Sequence, residues 1–183
     1  NALAAKILVD QGRRSDAETL FDRLVTDSKR VVIREGRDHA ALARAYVFFG
    51  GAKAINLAVK TLVEVQKQKG CPPAVDLQLG RLYLERMYLP GDAVAEAKAA
   101  LKKRPGLVDA LILEGEAYAS WMKDEQATQA FDEAASLNPA HPGLLCRRAE
   151  LALADFQIDK ASALLSTAAK VNPADKRVLG LEA

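Results

Sequence analysis

One stretch of sequence occurs twice in succession between residues 108 and 175, and this repetition constrains the fold more than any other feature. The two copies are displaced by 34 residues. The first carries Gly115, Tyr118, Ala127, Phe131, Ala134 and Pro139, and the second carries Ala149, Ala152, Ala161, Leu165, Ala168 and Pro173. A fixed period of this length indicates stacked supersecondary units that share one continuous core.

Each copy predicts two antiparallel helices. Leu111, Gly115 and Tyr118 follow one another in steps of four and three, which places them on one helix face. A second trio with the same kind of spacing begins at Ala127, and the few residues between the trios are long enough only for a tight turn. Pro139 should end the second helix, because the residue before a proline is pushed out of the α region.

These residues resemble the tetratricopeptide repeat (TPR) family, a 34-residue helix–turn–helix unit. Seven of its signature positions are filled by Leu111, Gly115, Tyr118, Ala127, Phe131, Ala134 and Pro139. Glu114 and Arg148 stand where the family usually has Leu. The resemblance implies an all-α fold, a right-handed superhelical solenoid of antiparallel helix pairs.

The weaker copies extend this pattern along the chain. We expect a single solenoid over residues 1–183, with about five repeats and the first helix of a sixth, as a fragment of a longer protein. The predicted repeats cover 1–31, 38–72, 73–107, 108–141 and 142–175, with a partial repeat over 176–183. Residues 29–37 lack a helical period and are basic. They are interpreted as an insertion or an extra turn of helix before the second repeat, and the segment is either a solvated loop or a contact for an anionic partner.

Composition and motifs argue against several other functions. The formal charge of +2 gives no electrostatic case for nucleic-acid binding, and no apolar run reaches the length of a membrane span. Cys71 and Cys146 lie in different repeats, which indicates no metal or redox pair and mildly favours a reducing compartment such as the cytoplasm. With two distant histidines and no catalytic fingerprint, we predict a protein that is not an enzyme and needs no cofactor.

The family resemblance implies that partners bind a concave groove lined by the first helix of each repeat. The positions expected to face this groove are Lys6, Asp10, Arg81, Glu85, Asp109, Ile112, Glu116, Ser120, Cys146 and Glu150. They do not match the Lys and Asn clamp by which some TPR proteins bind a C-terminal carboxylate. Three carboxylates in the C-terminal half instead favour a basic or amphipathic partner segment, unless they are simply a solvated helix face.

The leading hypothesis is therefore a non-catalytic protein–protein interaction scaffold. Two alternatives stay open at this point. The array could be a structural spacer that self-associates through its open ends in a larger secretion or envelope complex, or a regulatory domain of a multidomain protein.

Overall fold

The computed structural model describes residues 51–172 continuously, together with residues 7, 8, 11–13, 15–17, 19, 20, 23, 43 and 47. The chain divides into two compact units, residues 1–87 and 88–183. Most of the first predicted repeat and the 29–37 insertion lie outside the described residues, and so does the partial repeat over 176–183. The division into repeats at those ranges therefore stays a prediction.

The first unit contains the helices α1 (Ala52–Gln66) and α2 (Pro73–Met87). Their shared core consists of the buried side chains of Ala54, Ile55, Ala58, Leu62, Val65, Val75, Leu79 and Leu82, with Ala43 beside them. Between the helices, Gly70 takes a positive φ of 78°, which glycine adopts without a steric penalty. Gln66 Nε2 then donates a 2.9 Å hydrogen bond to Asp76 Oδ1, which ties the end of α1 to the start of α2.

The second unit contains five helices connected by short turns: α3 (Pro90–Lys103), α4 (Val108–Ser120), α5 (Asp124–Leu137), α6 (Pro142–Ala154) and α7 (Ile158–Val171). Within the described residues of this unit, all regular structure is helical. The pairs α4–α5 and α6–α7 are the helical hairpins that the duplicated sequence predicts.

Prolines end the second helix of each hairpin, as predicted. Arg104, Asn138 and Asn172 each precede a proline and have φ between −141° and −148° with ψ near 90°. Those angles lie outside the helical region, because the proline ring clashes with a helical residue before it. The 34-residue recurrence of Asn-Pro therefore fixes where α5 and α7 end.

Small residues allow α4 and α5 to approach closely. A Cβ on Gly115 would lie 2.5 Å from Cε1 of Phe131, a distance that van der Waals repulsion forbids. The Phe131 ring is only 2% exposed and occupies the space that the glycine leaves. Ala127 and Ala134 are fully buried on the same helix. In this hairpin, small residues thus lie at the helix contact and an aromatic ring fills the remaining space.

The two departures from the family pattern are both explained by ion pairs between adjacent hairpins. Glu114 lies 3.7 Å from Lys98 of α3, and Arg148 lies 3.1 Å from Asp132 of α5. Lys98 and Asp132 are themselves 34 residues apart, so equivalent positions carry opposite charges at successive contacts. A charged residue thus replaces the usual Leu because the preceding hairpin supplies its counter-charge.

Candidate functional site

Two of the predicted groove positions, Lys6 and Asp10, lie outside the described residues. On α2, Arg81 and Glu85 are exposed one helical turn apart, with Nη1 and Oε1 separated by 3.6 Å. An exposed pair of this kind contributes little to stability. Both side chains can therefore contact a partner without loss of the fold.

Two predicted positions lie at opposite ends of α4. Asp109 is in its first turn and Ser120 is its last residue, and both are exposed. Glu150, on α6, is partly exposed. These three side chains have the accessibility that the groove hypothesis requires.

Two other positions contradict the expectation of exposure. Ile112 is 3% exposed and packs in a core cluster with Leu111, Phe131 and Leu144, the last of which belongs to the next hairpin. Cys146 is fully buried beside Leu145 and other core side chains. The prediction was wrong here because it treated the first helix as an isolated cylinder, whereas packing against other helices covers these positions.

Glu116 is also mostly buried, but it is held in a polar network. Its Oε1 accepts a 2.7 Å hydrogen bond from Nε of Arg147, and Nη1 of the same guanidinium donates a 2.7 Å bond to Oε2 of Glu150. The side chain of Glu116 is 7% exposed, whereas those of Arg147 and Glu150 are 33% and 36% exposed. We call these three residues the Arg147 cluster; it joins α4 to α6.

The electrostatics of the Arg147 cluster favour its charged form. Partial burial would lower the pKa of Arg147, but the negative charge of Glu116 and the hydrogen bonds to Glu116 and Glu150 outweigh it and raise that pKa. The guanidinium therefore stays protonated. It neutralises part of the negative charge that the sequence alone assigned to this face.

His141 also has a structural role that the sequence analysis did not assign. It is the N-cap of α6, where its Nδ1 accepts a hydrogen bond from the backbone N–H of Leu144 at 3.4 Å. Its Nε2 lies 3.6 Å from Oδ1 of Asp109. His141 thus connects the start of α6 to the start of α4, at one end of the face that carries the Arg147 cluster.

Arg147 is the residue that sequence reasoning missed. The sequence did contain an indication of this role. Arg147 directly follows the predicted groove residue Cys146 on a first helix, and a long cationic side chain at that position can reach a carboxylate on the first helix of the preceding repeat. Glu116 and Arg147 are 31 residues apart, which is one period less three positions. Considering each repeat separately hides such a pair.

No protein-family model and no curated protein matches the sequence. Solved structures do match: MamA (14% identity, 91% of this chain and 92% of that one, TM-score 0.62) and a thermophilic TPR protein of Thermus thermophilus, TTC0263 (18%, 80% and 81%, TM-score 0.68). The chain has the TPR fold. A third match is YrrB, with 16% identity over 97% of this chain and 88% of that one, and a TM-score of 0.60.

The TPR fold confirms the all-α helical solenoid that the sequence predicts, and it is in general the fold of protein-interaction scaffolds. YrrB is described as a TPR protein with an unusual peptide-binding site. At these identities the likeness is one of fold, so the groove residues named above stay a prediction.

The described part of this TPR chain contains no arrangement of three or more His, Cys, Asp or Glu side chains that could hold a metal ion. Over the same residues, every helix is too short or too polar to cross a membrane. Cys71 is half-buried and Cys146 buried, and neither forms a disulfide.

Proposed function

We propose that this protein is a non-catalytic interaction scaffold that binds a segment of a partner protein along the first helices of its repeats. The observation that carries the proposal is the polar face across α4 and α6, where Asp109 and Ser120 are exposed and Glu150 of the Arg147 cluster is partly exposed. The TPR fold supports it, because stacked repeats present extended surfaces of this kind.

The charge of this face favours a basic or amphipathic segment. Asp109, Glu116 and Glu150 contribute three negative charges and Arg147 one positive charge, which leaves a net charge of −2 before His141 is counted. The chain as a whole carries a formal charge of +2, so this face is more acidic than the rest of the chain. Charge complementarity would guide a cationic segment here and disfavour an acidic one.

The test is affinity capture from a lysate of the source cells with the 183-residue chain as bait, followed by mass spectrometry and measurement of the affinity of each captured protein. The groove variant is Asp109→Lys/Glu150→Lys. The matched control is Glu64→Lys/Glu133→Lys, which makes the same change of charge at exposed positions on α1 and α5. Glu116 is left intact because its substitution would leave Arg147 without its principal partner.

A partner that binds the unmodified chain and the control, but not the groove variant, would support the proposal. Equal binding by all three chains would remove the site from this face. The spacer alternative makes a different prediction, that light scattering rises with protein concentration and falls when Leu179 and Leu181 are replaced by Asp.

A further inference from the structure

Three large apolar side chains of the second unit recur with the repeat period, one at the start of the unit and two at the turns within its hairpins. Tyr88, Met122 and Phe156 are 34 residues apart and precede α3, α5 and α7. Their exposed fractions are 83%, 86% and 88%. We call them the turn row. Such exposure leaves almost the whole of each side chain in water, so packing within the fold does not explain their presence.

The backbone at the turn row is unfavourable for these residue types. Tyr88, Met122 and Phe156 have φ of 55°, 57° and 58°, a left-handed conformation that bulky L-residues seldom adopt. The same chain uses glycine at positive φ in its two earlier turns, at Gly12 and Gly51, where a Cβ would meet open space. Stability alone would favour glycine or asparagine in the later turns also, so the bulky residues point to a function.

Other exposed apolar residues gather at the same turns. Nine large hydrophobic side chains are exposed in the described part of the chain, and six of them lie within two residues of these turns. Besides the turn row they are Leu89, Trp121 and Ile158, with exposed fractions of 39%, 44% and 59%. Apolar surface concentrated in this way, with polar residues around it, is characteristic of an interaction site.

The charges around the turn row indicate the sign of the partner. Within five residues on either side of Tyr88, Met122 or Phe156, the formal charges sum to −1 at each turn, and to −3 for the three turns. The chain as a whole carries +2. Two lysines, Lys123 and Lys160, lie within these windows. The Nζ atom of Lys123 stacks on the Trp121 ring, 3.6 Å from its centroid. The turns are thus locally acidic, which favours a cationic partner and disfavours an anionic bilayer.

The repeat spacing indicates the conformation of the partner. Packed helices lie about 8–10 Å apart, so equivalent turns of stacked hairpins should recur at roughly that distance. An α-helix advances about 10.5 Å in seven residues and returns to nearly the same face. An extended strand advances a similar distance in about three residues, which brings its side chain to the opposite face. A helix therefore matches a row of this spacing, and a strand does not.

We propose that the turn row binds a basic amphipathic α-helix of a partner protein, with an apolar residue at every seventh position of that helix. This surface lies at the turns; it adjoins the polar face of the first helices at Ser120, whereas Asp109 and Glu150 of that face lie outside it. The chain would then hold two partner segments at once, one along the first helices of its repeats and one across the turns of its second unit.

Trp121, the only tryptophan of the chain, supplies a direct assay, because it lies beside Met122. The probe is a synthetic helical peptide of about 18 residues with leucine at every seventh position, lysine on the opposite face and no tryptophan. Titration into the 183-residue chain should shift the Trp121 emission to shorter wavelength as water is excluded. The same peptide with glutamate in place of lysine tests the charge, and vesicles of anionic phospholipid test the membrane alternative.

The test variant is Met122→Asn/Phe156→Asn, since asparagine tolerates the left-handed conformation. It should retain or raise the melting temperature and bind the lysine peptide about tenfold more weakly or worse. The control Leu137→Asn/Val171→Asn removes two exposed apolar residues away from the turns and should bind normally. The proposal would be overturned if the test variant bound the lysine peptide as tightly as the unmodified chain, or if the control variant lost as much affinity as the test variant. It would also be overturned if the glutamate peptide bound as tightly as the lysine peptide, or if anionic vesicles shifted the Trp121 emission more than the peptide does. Asp109→Lys/Glu150→Lys should leave this binding intact, so the two surfaces can fail independently.

Discussion

The contact between Gly115 and Phe131 allows the α4–α5 packing to be tested by a single methyl group. In Gly115→Ala the new Cβ would lie 2.5, 2.7 and 2.8 Å from three atoms of the Phe131 ring. The ring is 2% exposed, so a methyl group at position 115 must displace it from its packed position. Overpacking of this kind costs about 1–3 kcal/mol, from which the higher helix propensity of alanine subtracts about 1 kcal/mol.

A double-mutant cycle with Phe131→Leu separates these two contributions. Phe131→Leu alone removes buried contacts and should cost about 1–2 kcal/mol. In that background the alanine methyl fits into the space that the ring vacated, whereas its helix-propensity gain is unchanged and cancels in the cycle. We therefore expect a favourable coupling of about 1–2 kcal/mol between the two substitutions.

The assay is urea unfolding followed by both circular dichroism and Trp121 fluorescence. Agreement between the two transitions would justify a two-state free energy, which repeat proteins do not always permit. Gly91→Ala is the matched control, because its Cβ would meet only the partly exposed tip of the Trp121 ring, at 3.3 Å. A coupling near zero, or equal effects at Gly91 and Gly115, would refute the close approach of α4 and α5.

The remaining predictions concern packing and charge. Ala127→Leu and Ala161→Leu should each cost about 1–3 kcal/mol in urea unfolding, since both alanines are buried at helix contacts. Arg147→Met should cost about 1.5–3 kcal/mol because it removes the 2.7 Å hydrogen bond that the buried Glu116 carboxylate accepts, and Glu116→Gln in the same chain should recover part of that loss. Burial raises the pKa of Glu114 above 4.5, although the charge of Lys98 opposes this effect. As pH falls, Glu114 is therefore protonated at a higher pH in the folded state than in the unfolded state. Stability relative to Glu114→Gln should therefore increase as pH drops toward 4.5; a relative decrease over that range would contradict the raised pKa.

Much of the fold could be predicted from sequence because each repeat encodes local constraints. The bounds of α5 follow from the turn after Trp121 and from Asn138 before Pro139, both readable without any distant contact. The charged positions could not be read in this way. Glu114 departs from the repeat signature, and the reason is Lys98 in the preceding hairpin, which no periodic pattern reveals.

The candidate site was less predictable than the fold, for a related physical reason. Asp109 and Ser120 are exposed as expected, since they lie at the ends of a helix. Ile112 and Cys146 were assigned from the geometry of one isolated helix, but the surrounding helices cover them. Exposure is thus a property of the packed array, whereas helix length is a property of each repeat.

Departures from the repeat pattern fall into two physical kinds, and the difference separates stability from function. Glu114 and Arg148 replace an apolar residue inside a helix contact, and each finds an opposite charge in the preceding hairpin. Because the polarity reverses from one contact to the next, the pairs also disfavour stacking of the hairpins in another order. Met122 and Phe156 instead put bulky apolar side chains into exposed turns at positive φ, where the backbone caps the preceding helix but the side chains gain almost no burial. A departure of this kind, which leaves a bulky apolar side chain exposed and recurs with the period of the fold, is the one that a binding partner would explain.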